Sequence, residues 1–196
     1  MSGERWNHNI HCHRLIVNAV PRTARSALDV GCGEGTLCRA LRERVPHVVG
    51  LDADPGSIEL ARAAGGEVEY VLGDFLAHEF TPQSFDLVAS VATLHHLDVE
   101  AALVRMRDLL RPGGVLALVG LARRSHADLP YDVAGFFAHR LLKLRHGYWE
   151  HPSPITDPTM THRELRKVVT SVLPAARYRR HILFRFSVVW TKPSGD

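Results

Sequence analysis

Along most of this 196-residue chain, short apolar runs alternate with segments whose apolar residues recur at helical spacing. The runs lie at residues 27–30, 48–51, 69–72, 87–91 and 115–119, each leucine-rich or β-branched and bounded by Gly, Pro or Asp. Continuous short runs of this kind read as strands buried on both faces, which is the habit of parallel sheets. Between them, Leu37, Leu41 and Val45 recur every fourth residue, while Val99, Ala102, Leu103, Met106 and Leu110 make the i, i+3, i+4, i+7, i+11 stripe of a helix covering a sheet. Pro112-Gly113-Gly114 is expected to stop that helix and turn the chain into the fifth strand. The alternation predicts an α/β fold.

Past the fifth strand, "PYDVAGFFAHRLLKL" places Val133, Phe137, Leu141 and Leu144 on one helical face, with Phe136 and Phe137 expected in the core. A proline-dense loop, "HPSPITDP", follows. Thr161 and Glu164 then form a capping box for a helix carrying Leu165, Val168, Val169 and Val172. The closing stretch "ARYRRHILFRFSVVWTKP" holds two β-rich runs too close together for a crossover helix, so they should pair as an antiparallel hairpin. The expected product is one sheet, mostly parallel with an antiparallel end.

Composition narrows the class. With 45% hydrophobic residues the chain can build one sizeable core. A surplus of 24 basic over 21 acidic residues, net +3, is too small to argue for nucleic acid by itself. Three cysteines make no disulfide framework, which fits a reducing compartment. The opening residues hold no signal-peptide core and no run approaches a membrane span, so the expectation is a cytoplasmic protein without a membrane partner.

The chemistry gathers where the predicted strands end. In "ALDVGCGEGTLCRAL" the first strand runs into Gly31, Gly33 and Gly35, with Cys32 between them, and then into a helix; glycines there let a ligand lie against the backbone. Asp52 ends the next strand about 20 residues beyond the first glycine, where a carboxylate can accept both ribose hydroxyls; the competing reading is that Asp52 or Asp54 caps the helix opening at Pro55. Gly73-Asp74-Phe75 ends the third strand, offering a carboxylate and a ring to an adenine, or an ordinary Asp turn. Dinucleotides and S-adenosylmethionine both suit such a mouth. A pyrophosphate site wants its third glycine three positions after the second, and here it comes after two. Asp29, two residues before the first glycine, would repel a pyrophosphate and suit a ligand carrying an ammonium and a sulfonium.

With its blocks "LDVGCGEG", "GLDADP", "GDF", "FDLVASVATLHHL" and "LLRPGG" in this order, the chain resembles the small bacterial class I S-adenosylmethionine-dependent methyltransferases over roughly residues 28–119. The resemblance implies a Rossmann-like sheet of seven strands, the last antiparallel, with helices on both faces. It implies one domain over 1–196, with 1–26 as an amino-terminal lid or helix and 121–162 as a substrate-side insertion. It places Asp29, Gly31, Cys32, Gly33 and Gly35 around the methionine part of the cofactor, Asp52 and Ala53 at the ribose and adenine edge, and Gly73, Asp74 and Phe75 at the adenine. The segment from Ser90 and Val91 to His96 would border the methyl group.

Methyl transfer needs mainly alignment of the acceptor, and a base only where the acceptor loses a proton. His95 and His96, just past the fourth strand, are the candidate bases, with a structural loop role as the alternative. Trp6, His8 and His11 in "WNHNIHCH", with Tyr131 and Trp149 further on, are candidate acceptor contacts; the histidine spacing matches no strong metal pattern, so no metal is expected. Arg177, Arg179, Arg180 and Arg185 on the hairpin read as one solvated face of a strand. A small-molecule acceptor, taken at O or N, is the leading reading, in a monomer or homodimer. RNA is the rival acceptor, disfavoured because "SVATLHHL" lacks the Asn/Asp-Pro-Pro-Tyr/Phe element of resembling nucleic-acid enzymes. A cofactor-binding protein without turnover is the rival of another class.

Overall fold

The computed structural model describes residues 6–125, 128–146 and 156–194. Seven strands form one sheet: β1 (Ser26–Val30), β2 (His47–Asp52), β3 (Glu69–Leu72), β4 (Phe85–Val91), β5 (Leu110–Gly120), β6 (Arg177–His181) and β7 (Arg185–Thr191), in the spatial order β3-β2-β1-β4-β5-β7-β6. β1 to β5 are mutually parallel; β7 runs antiparallel between β5 and β6. The chain winds outward from β1 through β2 to β3, then crosses back to lay β4 on the other side of β1. That reversal opens a crevice outside the carboxyl ends of the strands.

The helices are α1 (His8–Val17), α2 (Thr36–Arg42), α3 (Pro55–Ala63), α4 (Val99–Leu109), α5 (Leu129–His146) and α6 (His162–Val172). Cys12 and Ile16 of α1 pack with Leu37 and Leu41 of α2 and Ile58 of α3 on one face of the sheet. On the other face, Leu103 and Met106 of α4 pack with Leu165 and Val169 of α6. Every helix start with a polar cap is written locally: Asn7, Asp54 and Asp98 each accept a backbone N–H from three residues on, and Thr161 with Glu164 forms the complete reciprocal box.

The fold departs from the sequence reading in two places. The fifth strand starts at Leu110, directly after α4, and not after the glycines: Leu110 pairs with Phe85, the register then shifts, and pairing resumes at Leu87 with Val115. Pro112-Gly113-Gly114 is therefore an irregularity inside a strand, tied on its far side by Gly113 N–H to the Lys192 carbonyl at 2.9 Å and by Lys192 N–H to the Gly114 carbonyl at 2.8 Å. The second departure is α5, whose expected core face points to solvent, Phe136 and Phe137 included. Its narrow packed side is built on Gly135, where a Cβ would fall 2.4 Å from the Ile182 carbonyl oxygen.

Thr161→Ala removes half of the α6 box. It is expected to cost about 1 kcal/mol, seen as a Tm roughly 2–4 °C lower for a chain of this size in thermal unfolding by circular dichroism.

Candidate active site

A cavity of about 1000 Å³ opens at the carboxyl ends of β1, β2, β3 and β4 and is closed on one side by α1. The three glycines after β1 turn out to have different tasks. All have positive φ, at 73°, 53° and 75° for Gly31, Gly33 and Gly35. Gly31 and Gly33 line the cavity. At Gly31 a Cβ would sit 2.0 Å from the Thr93 hydroxyl oxygen, so only glycine lets the loop pass the turn after β4. Gly35 does not line the cavity. It starts α2 with its back to Tyr70, whose hydroxyl oxygen occupies the space a Cβ would need, 2.2 Å away.

Asp52 holds this loop in place. Its Oδ2 accepts the Gly33 N–H at 2.8 Å and its Oδ1 accepts the Asp54 N–H at 2.9 Å, while its side chain remains part of the cavity wall. The capping role that competed for Asp52 belongs to Asp54, whose Oδ2 accepts the Ser57 N–H at 2.8 Å. Ala53, Gly73, Asp74 and Phe75 continue the wall. Asp74 Oδ1 accepts the Leu76 N–H at 2.7 Å, and the Phe75 ring is buried, with the Arg105 guanidinium 5.5 Å from its centre.

Asp29 is the buried charge of the site. It is 1% exposed, yet lines the cavity; Oδ2 accepts the Cys38 thiol at 3.3 Å and Oδ1 has no hydrogen-bond partner among the described residues. Burial first, and the neighbouring Asp52 charge after it, push its carboxyl up to about 7 against the pull of the Cys38 bond. Cys32 lines the cavity beside it. Its sulfur and that of Cys38 crowd over Gly50, at 3.0 and 2.7 Å from where a Cβ would be.

Val91 also lines the cavity, but Ser90 does not: it is buried in the sheet, its hydroxyl donating to the Val30 carbonyl at 2.8 Å. Ser90 joins the tips of β4 and β1 and is set apart from the expected methyl-bordering group by strand alternation, which points successive side chains to opposite faces. His95 and His96 sit on a single 3₁₀ turn (Leu94–His96) and both face the cavity, their ring centres 4.1 Å apart. His95 is pushed down to about 4 by burial, then by His96 and Arg185, so its ring is neutral near pH 7. Its Nδ1 is buried without a hydrogen-bond partner among the described residues.

The opposite wall comes from α1, through Asn7, His8, Asn9, Ile10 and His13. His8 bonds His139 of α5 ring to ring at 2.9 Å and is pushed down to about 4, mainly by burial and then by Arg185. Asn9 Oδ1 accepts from Arg185 Nη2 at 2.9 Å and Nε at 3.1 Å, which ties α1 to the start of β7. Trp6 and His11 are not in the wall; Trp6 is buried edge-on to both His8 and His11, at 5.8 and 6.1 Å between ring centres. Tyr131 is not in it either. Its ring lies under the Arg180 guanidinium at 4.0 Å, and Arg180 pairs with buried Asp128 at 2.6 Å. Trp149 lies outside the described residues.

Arg180 and Arg185 therefore do not belong to a solvated strand face. Arg185, Asn9, His13, Leu121 and Thr156 are cavity residues that sequence reasoning missed. Arg185 meets Asn9 across 176 positions, and no local pattern announces such a contact. The cavity is chemically two-ended: its carboxylates, Asp29, Glu34, Asp52, Asp54 and Asp74, come from the β1–β3 side, while guanidinium and imidazoles come from β7, α1 and the 3₁₀ turn. Among the described residues no three His, Cys, Asp or Glu side chains are grouped to hold a metal ion.

A family model described as a methyltransferase domain matches residues 28–118. Over 192 residues the chain is 36% identical to an uncharacterized methyltransferase of Mycobacterium tuberculosis (strain ATCC 25618 / H37Rv), spanning 96% of this chain and 98% of the relative. The chain is a class I S-adenosylmethionine-dependent methyltransferase. The methyltransferase is also 35% identical over 148 residues to the ubiquinone biosynthesis O-methyltransferase of Xylella fastidiosa (strain 9a5c), 71% of this chain and 59% of that protein. Its fold is similar to Haemonchus contortus phosphoethanolamine N-methyltransferase 2 in complex with phosphomonomethylethanolamine and S-adenosylhomocysteine, with a TM-score of 0.67 at 15% identity over 98% of this chain and 54% of that one.

A buried carboxylate oxygen in the cavity wall, without a partner among the described residues, is the acceptor a cationic cofactor needs, so the methyltransferase's residues fit S-adenosylmethionine. A carboxyl raised from 3.8 to about 7 favours the ligand-free fold below pH 4 and loses that contribution as pH rises through 7. Asp29→Asn is expected to make the ligand-free methyltransferase more stable at pH 8 in urea denaturation, while weakening S-adenosylmethionine at least about tenfold in calorimetry, as loss of a charged hydrogen bond implies. In the parent protein, affinity should fall as pH drops from 8 to 6, because the carboxyl must then lose a proton to bind.

Proposed function

We propose that the methyltransferase transfers a methyl group to oxygen or nitrogen of a small-molecule acceptor, bound between α1 and the His95–His96 turn. The observation that carries this reading is the wall of α1: His8, Asn9, Ile10 and His13 close the side of the cavity facing His95 and His96, which leaves room for a compact acceptor. Relatives and structural neighbours named for O- and N-methylation are in keeping with it. Residues 1–26 then serve as the lid, and 121–162 as the acceptor-side insertion that contributes Leu121 and Thr156 to the wall.

On this reading Asp29 takes the cofactor's ammonium, with the Gly31 and Gly33 backbone alongside. Asp52 accepts the ribose hydroxyls, and Ala53, Asp74 and Phe75 meet the adenine. The cofactor, when bound, supplies a methyl group already activated by the positive sulfur. The chain's own work is alignment and exclusion of water. His95, a neutral ring in the cavity wall, accepts a hydrogen bond from the acceptor through a ring nitrogen and so orients it. An imidazole lowered to about 4 is a poor base toward a free hydroxyl, but an oxygen gaining a methyl becomes strongly acidic. His95 therefore takes the proton late, as the new bond forms, which suits an oxygen acceptor.

The deciding experiment follows labelled methyl from S-adenosylmethionine into a metabolite extract and into total RNA. Label in the small-molecule fraction is expected; label in RNA overturns the acceptor class, and none in either makes the protein a binder without turnover. Asp52→Ala should weaken the cofactor by about 1–3 kcal/mol. His95→Ala should lower turnover by about 10²-fold or more with cofactor affinity nearly unchanged; parental rates in both His95→Ala and His96→Ala would assign the rate to alignment alone.

A further inference from the structure

α5 is the anomaly of the molecule: an 18-residue helix that contributes to neither buried core cluster. Its packed side is narrow, with Gly135 against the β6–β7 turn and His139 on His8. Facing away are Leu129, Val133, Phe136, Phe137, Leu141 and Leu144, exposed to between 51% and 80%. At about 100° per residue these six fall within one outward arc. Arg140 lies inside that arc, Lys143 at one edge and Arg145 at the other. The helix holds one carboxylate, Asp132, on the packed side 3.6 Å from Arg124.

We propose that α5 is a docking surface for an anionic lipid bilayer, lying in the headgroup layer with its apolar arc inserted. Long basic side chains flanking an apolar helical face place their stems among acyl chains and their charges at the phosphates. Charge favours this occupant over a second copy of the chain: exposed Arg140 within the arc and Arg145 at its edge are both attracted to an anionic surface, whereas a second copy of the same arc brings only apolar residues and further cations to meet them. No helix among the described residues is long and apolar enough to cross a membrane, so the contact is a surface one. The sequence expectation of no membrane partner rested on span length, which such a helix does not need. The inference is independent of the acceptor.

The test is co-sedimentation of the full chain, loaded with S-adenosylhomocysteine, with vesicles of phosphatidylcholine alone or mixed with phosphatidylglycerol. Binding to the mixed vesicles is expected, weaker by about tenfold or more without the anionic lipid and reduced by salt. The pair Phe137→Asp and Leu141→Asp should abolish it, and Arg140→Gln with Arg145→Gln should weaken it roughly fivefold per charge. Both pairs should keep parental S-adenosylhomocysteine affinity in calorimetry, which shows that they fold. Absence of the parent protein from the anionic pellet overturns the proposal, as does undiminished binding by either folded pair. A dimer in sedimentation equilibrium that Phe137→Asp dissociates, without lipid binding, gives the face to a second copy and overturns it too.

Discussion

A carboxyl held in the dry end of a sheet with one oxygen unanswered sets the terms for everything around it. β1 lies between β2 and β4, and Asp29 pairs in register with Gly50 on one side and Ala89 on the other, so small neighbours leave its side chain space but no water. Cys38 supplies a weak donor and Asp52 an unfavourable neighbouring charge. Folding alone does not satisfy this group. A cation bound at that oxygen would link fold and ligand in one equilibrium, with what the empty pocket loses in stability regained as affinity. Asp52 acts on the same wall from the other direction, since by fastening Gly33 and Asp54 it fixes the backbone that lines the cavity.

The α1 side of the cavity has a different physical basis. Its wall is neither a strand tip nor a loop after one, but a helix from the start of the chain fastened to a strand near its end by Arg185 and Asn9. The guanidinium does two things there. It anchors α1, and its field, added to burial, keeps His8 and His95 uncharged. Neutral imidazoles can accept hydrogen bonds that imidazolium ions cannot, so a structural fastener also sets the chemistry of the rings it faces.

Most of the sheet and the strand-tip wall of the cavity were legible because their signals are local. The five parallel strands announce themselves as apolar runs, the caps at Asp54 and Thr161 sit within three residues of what they bind, and the glycine loop with Asp29, Asp52 and Asp74 recurs at strand ends. Legibility failed where a tertiary contact decides. Gly35 looked like Gly31 and Gly33 until Tyr70 filled the space behind it. Ser90 looked like a cavity residue until the pleat turned it toward Val30. Helical periodicity at Val133, Phe137, Leu141 and Leu144 identified a face and not what lies opposite, and a solvent-facing stripe has the same spacing as a buried one. Arg185 carried no signal at all, because its meaning comes from a residue at the far end of the chain.

That last contact has a consequence for the order in which the protein is made on the ribosome. The strand-tip wall, from Asp29 to Phe75, is translated well before Arg185, to which α1 is bolted through Asn9. Translation thus supplies the two sides of the cavity at different times, and the α1 side stays unfastened until β7 has been made.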